Sequence, residues 1–131
     1  MECAVRVVRE PAGAVMKKVV IYHNPKCAKS RETLALLRGR GIEPEIVEYL
    51  AHPPSKDELR AFIRMLGGDA HALVRAKEPD YRKAGLSKSS STDDIVNAIA
   101  KYPILMERPL VVCGKRAALG RPPENVVSIL S

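Results

Sequence analysis

The chain has 131 residues, 46% of them hydrophobic, which suits one globular core and argues against a second domain. Its apolar residues fall in short groups, none approaching the ~18 to 20 needed for a membrane-spanning helix, so a soluble protein with no membrane partner is expected. The formal charge of +7 raises the local concentration of anions. Aromatic residues are only 4%, Trp is absent and basic residues are mixed with acidic ones, so the features of nucleic-acid binding are missing and a small anion is the expected partner.

Three cysteines occur, with no CxxC, and the three histidines show no HxxxH spacing, so no metal site is expected. Free thiols point to a reducing compartment, the cytoplasm. Glu2, Arg6, Arg9 and Glu10 interrupt the start of the chain, which lacks the apolar stretch of a secretory signal. Residues 1–16 therefore read as a loose leader, with Cys3 incidental, and residues 17–131 as a single folded domain. Translation is expected to start naturally near Met16.

Val19-Val20-Ile21-Tyr22 is a β-branched run closed by His23-Asn24-Pro25, a first strand entering a loop. Ser30 to Arg38 follows as a helix, with Leu34 and Leu37 on one face and Gly39 and Gly41 as its stop. Glu45 to Tyr49 makes a second strand, parallel to the first through the helical crossover. Ser55-Lys56-Asp57-Glu58 is a capping box opening a helix that carries Leu59, Phe62, Ile63 and Leu66. Asp69 can cap a shorter helix through Ala70 to Ala76, and Thr92-Asp93-Asp94 another with Ile95, Val96 and Ile99, so residues 55–102 form a helical block. Pro109 to Cys113, a turn at Gly114-Lys115, and Ala117 to Leu119 form a hairpin. Pro122 and Pro123 open a last helix with Val126, Val127 and Leu130 inward. The order implies an α/β protein with a mixed four-stranded sheet.

Cys27 falls after a strand and at the start of a helix, where unpaired backbone N–H groups and the helix dipole favour a thiolate. Lys26 and Lys29 flank it and His23 is near in sequence, which marks a reactive thiol rather than an inert half-buried one. The same N–H groups can hold a tetrahedral oxyanion. Ser30 stands three residues on, where a second cysteine would close a disulfide, so a second thiol must come from outside. Asn24 and Ser30 can hydrogen-bond the thiolate or a bound oxygen, or cap the turn and the helix. Arg31 is a further candidate for the anion. Cys113, in a strand, reads as a core residue.

Tyr22-His23-Asn24-Pro25-Lys26-Cys27, Arg108-Pro109-Leu110-Val111-Val112 and Gly120-Arg121-Pro122 resemble the glutaredoxin-linked arsenate reductase family, over residues 17–130. The resemblance implies a thioredoxin-like sheet with a helical insertion. It also implies a covalent thiol-arsenate adduct on Cys27 and completion of the reduction by glutathione, as co-substrate, with glutaredoxin; no bound cofactor is implied. Three arginines surround the thiol in such proteins, and the matching positions are Arg75, Arg108 and Arg121. An arginine fork donates paired hydrogen bonds to oxyanions and keeps its charge. Arg75, near Lys77 and Glu78, also reads as a solvated surface residue. Arg108 precedes Pro109 at a strand entrance, where these folds keep a cis proline beside the thiol, and otherwise reads as a loop-edge charge. Arg121 is held extended by Pro122 and otherwise reads as a plain helix start. His23 is implied to help keep Cys27 deprotonated, the bland alternative being a hydrogen-bonded loop residue.

Two other classes share parts of this pattern. One is a redox-sensing transcription regulator that binds RNA polymerase, whose CxxC switch Ser30 removes. The other is a glutathione-dependent thiol transferase, which needs Cys27 but not the arginines. A chain beginning at Met16 is expected to fold as the full one does, with the same thermal melting midpoint; loss of folding would refute the dispensable leader.

Overall fold

The structure, a computed structural model, describes residues 18–130. The leader, Cys3 and the proposed start at Met16 lie outside the described residues. The chain divides into two compact units, one made of the segments up to Glu48 and from Arg108 onward, the other of Tyr49–Glu107.

The first unit holds β1 (Val19–His23), α1 (Ala28–Gly39), β2 (Glu45–Glu48), β3 (Leu110–Cys113) and β4 (Arg116–Leu119). The sheet order is β2-β1-β3-β4. β1 runs parallel to β2, pairing Ile21 with Ile46, as a helical crossover allows. β3 is antiparallel to both β1 and β4, with Ile21 opposite Val111 and Val112 opposite Ala117. Gly114 turns the β3–β4 hairpin with φ 64, a conformation glycine adopts without penalty. A final 3-10 segment, Pro123–Ile129, stands where an α-helix was expected. Its Val126 and Ile129 share one core with Val19, Ile21, Leu37, Val111 and Cys113. Cys113 is thus the core residue expected of it.

α1 begins at Ala28, two residues before the expected start. Its N-cap is Cys27, in extended conformation (φ −96, ψ 124), so the first turn follows the thiol directly. Leu37 is fully buried and Leu34 packs at the edge of the same core.

The second unit contains α2 (Lys56–Met65), a 3-10 turn (Ala70–Leu73), α3 (Pro79–Lys83), α4 (Thr92–Lys101) and a second 3-10 turn (Pro103–Leu105). Reciprocal Ser55–Glu58 bonds cap α2 as the sequence indicates, and Ser91 caps α4 with Asp94 in the same way. The helix expected over residues 70–76 is only a 3-10 turn. Asp69 accepts from His71 N–H, and by Val74 the backbone is extended, bridging antiparallel to Met106. Flanking this bridge, Arg75 N–H donates to Leu105 O at 2.7 Å and Glu107 N–H to Leu73 O at 2.7 Å. α3, with Pro79 in its first turn, lies within the expected helical block.

Leu37→Ala is expected to lower stability by about 2–5 kcal/mol through lost burial and the cavity left behind. Urea denaturation checks this, and a loss under 1 kcal/mol would contradict the packing described.

Candidate thiol and oxyanion site

The connection from β1 to α1 is a tight loop held by its own backbone and by α1's first turn. Cys27 N–H donates to Asn24 O at 2.9 Å, Lys26 N–H to Asn24 Oδ1 at 3.0 Å, and Arg31 N–H to Cys27 O at 3.0 Å. Ser30, fully buried, closes the loop: its Oγ accepts from Asn24 N–H at 3.1 Å and shares a hydrogen with His23 Nδ1 at 2.7 Å. Arg31 Nη1 donates to Pro25 O at 2.9 Å. His23, Asn24, Ser30 and Arg31 therefore all bind the loop that carries Cys27.

Cys27 is half-buried. Burial by itself pushes its thiol pKa up, yet the net direction is down. The Ser30 backbone N–H opposes burial most, followed by the guanidinium groups of Arg108 and Arg121 and the Lys29 N–H. The N–H groups are the donors expected at a helix start, and they are joined by two arginines from the later segment of the unit.

Arg108 and Arg121 are brought there by β3 and β4. Arg108 precedes β3 and Arg121 follows β4, so the hairpin returns one beside the other. Both peptide bonds, Arg108–Pro109 and Arg121–Pro122, are cis. Arg121 Nη1 lies 3.7 Å from Cys27 Sγ and donates to Arg108 O at 2.9 Å. Arg121 O in turn accepts from Asn125 Nδ2 at 3.0 Å.

His23 is buried, and burial lowers its pKa. Glu48 opposes this, while Arg31 and Arg38 add to it. The imidazole is therefore neutral near pH 7, and its contact is with the Ser30 hydroxyl. Arg75 belongs to the second unit, where Nη1 meets Glu107 Oε1 at 2.6 Å and Nε meets Glu78 Oε2 at 3.3 Å. Burial lowers its pKa, but the two carboxylates, Glu107 before Glu78, outweigh that and raise it. The partly buried double ion pair differs from the solvated surface arginine weighed from sequence.

Sequence reasoning passed over Thr33, and took Gly120 only as part of the Gly120-Arg121-Pro122 motif without giving it a role. Thr33 is fully buried in α1, and a Cβ on Gly120 would collide with Thr33 Oγ1 and come within 2.8 Å of Pro109 Cγ. The glycine had a readable signal, standing at a strand end immediately before Arg121-Pro122. Thr33 had none. Among the described residues no group of three or more His, Cys, Asp or Glu side chains is placed to hold a metal, and no helix is long and apolar enough to cross a membrane.

The strand order β2-β1-β3-β4, with Cys27 capping the helix that follows β1, defines a thioredoxin-like protein. The ArsC family model matches residues 22–129, and the chain belongs to that family. A structure of an arsenate reductase from Vibrio cholerae is 47% identical, with a TM-score of 0.83, covering 88% of this chain and 100% of that one. An arsenate reductase of Neisseria meningitidis serogroup A is 42% identical over 117 residues, covering 88% of this chain and all of its own. The Escherichia coli K12 protein YfgD, named as uncharacterized, is 47% identical over 116 residues, 87% of this chain and 98% of its own.

Alkylation of Cys27 by iodoacetamide is expected to follow a single titration with a midpoint below that of an ordinary thiol, the Arg121→Ala variant shifting it upward. Peptide mass spectrometry across pH checks this. An ordinary midpoint in the wild type would refute the site's electrostatics.

Proposed function

We propose that the protein reduces arsenate to arsenite, with Cys27 as nucleophile and glutathione and glutaredoxin supplying the further thiols. The observation that carries this reading is Arg121 Nη1 at 3.7 Å from Cys27 Sγ, with Arg108 directed at the same sulfur. A thiolate flanked by two fixed cations and by helix N-terminal N–H groups suits attack on a tetrahedral oxyanion. Cys27 Sγ attacks arsenic, an oxygen leaves as water, and a thiol-arsenate adduct forms. A second thiol, from glutathione, completes the exchange: arsenic gains two electrons and leaves as arsenite, while two thiols lose two electrons and become a disulfide. Glutaredoxin then returns Cys27 to the thiol. Chemistry of this kind needs reduced glutathione and belongs in the cytoplasm.

Each residue takes a part in this scheme. Arg108 and Arg121 bind the anion's oxygens and stabilise the charge that develops on them. Ser30 and Asn24 hold the loop so that first-turn N–H groups face the sulfur, and His23 acts through the Ser30 hydroxyl as a neutral partner. Arg31 ties the far side of the loop to α1. Arg75 fixes the backbone of its own unit through Glu107 and Glu78. Phosphate matches arsenate in charge and approximate size, so the arginines alone do not separate them. The covalent step does, because thiols readily reduce arsenic and not phosphorus.

Nothing favours the regulator reading, since the residue in place of a switch thiol is Ser30, whose hydroxyl is engaged with His23 and Asn24. NADPH consumption coupled through glutathione reductase, glutaredoxin and glutathione is expected to depend on arsenate in the wild type and to vanish in Cys27→Ser. Arg108→Ala should reduce turnover about 10²- to 10³-fold, the loss expected on removing one oxyanion donor. Turnover of a disulfide without arsenate dependence, intact in Arg108→Ala, would instead establish a thiol transferase.

A further inference from the structure

Thr33 lies in α1, six residues beyond Cys27, and its side chain touches both halves of the thiol site. Oγ1 donates to Lys29 O at 2.9 Å, and Gly120 O lies 3.5 Å from the same oxygen. Lys29 supplies one of the backbone N–H groups that stabilise the Cys27 thiolate. Gly120 is the residue before Arg121, and no side chain fits at its Cα: a Cβ there would collide with Thr33 Oγ1 and stand 3.1 Å from Thr33 Cγ2 and 2.8 Å from Pro109 Cγ. Gly120 N–H also donates to Pro109 O at 2.9 Å. The chain bearing Arg121 is therefore pressed at one point against both α1 and the proline that follows Arg108.

We propose that Thr33 and Gly120 are positioning residues, whose close contact seats the end of β4 on α1 and thereby aims Arg121 at Cys27 Sγ. The proposal rests on the reading of Cys27 as the nucleophile and holds whatever the substrate. Neither residue meets the reacting atoms. Thr33 acts through Lys29 and Gly120, and Gly120 acts through the direction it gives Arg121. A larger residue at 120, or an apolar one at 33, moves the guanidinium from the sulfur and leaves the thiol with less compensation for its burial.

The test is the pH dependence of Cys27 alkylation by iodoacetamide in the full chain, with thermal melts to establish folding. The charged and titratable groups around the loop include His23, Lys26, Lys29, Arg31, Glu32 and Arg38 on β1, the loop and α1, Glu48 on β2, and Arg108 and Arg121 beside the hairpin, and every variant leaves them in place. In Thr33→Val the midpoint should rise, so that alkylation below the wild-type midpoint slows on the order of three- to tenfold. Gly120→Ala should shift the profile in the same direction. Thr33→Ser, which keeps the hydroxyl, should restore the wild-type profile. A folded Thr33→Val with a profile superimposable on wild type overturns the proposal, as does a Thr33→Ser profile shifted as far as that of the valine variant. Should Thr33→Val not fold, Thr33→Ala, which also lacks the hydroxyl, is read by the same criterion. Failure of the arsenate reading would show separately, as wild-type turnover without arsenate dependence and with these shifts intact.

Discussion

A half-buried thiol is driven toward its neutral form by the water it loses, and the site on this chain exists because something outweighs that drive. The opposing influence comes first from backbone. Cys27 caps α1, and N–H groups of the first turn have no carbonyl one turn back to receive them. The loop before α1, its clasp by Ser30, and the placing of β1 all serve to hold a sulfur at that one position. The Ser30 N–H at the helix start is the largest single influence opposing burial, and the Arg108 and Arg121 guanidinium groups come next.

The arginines are added from the later segment of the first unit. Strand pairing sets their spacing: β3 beside β1 puts Arg108 near the mouth of the β1–α1 loop, and the return of β4 brings Arg121 to the same end. Arg121 further donates to Arg108 O, so the two share backbone as well as charge. That two residues so far from Cys27 in sequence both reach its sulfur is a property of sheet topology; the family resemblance named both positions, and among local signals the hairpin at Gly114-Lys115 hinted at how they meet.

Much of the fold was legible because it rests on local rules. The β-branched run of β1, the capping box at Ser55, and the glycine of the hairpin each specify their element within a few residues. The differences have separate reasons. Cysteine is not a favoured cap, so the helix formers from Ser30 put the start of α1 two residues late even though Cys27 reads as standing at a helix start, and residues 70–76 read as helix because the bridge from Val74 to Met106 lies beyond a local window. The same holds for the site. Cys27 is visible from its position, whereas the partners of Arg75 include Glu107, 32 residues away, and the seat made by Thr33 and Gly120 spans 87 residues. No single-residue pattern announces a contact of that range.

The strongest partners of the loop that carries Cys27 are peptide N–H groups and arginines, which do not change charge near neutrality. Peptide N–H groups do not titrate, guanidinium groups stay protonated, and burial lowers the His23 pKa, away from the charged form. The donors that favour the thiolate therefore keep their strength as acidity changes, so the sulfur's ionisation is not coupled to theirs.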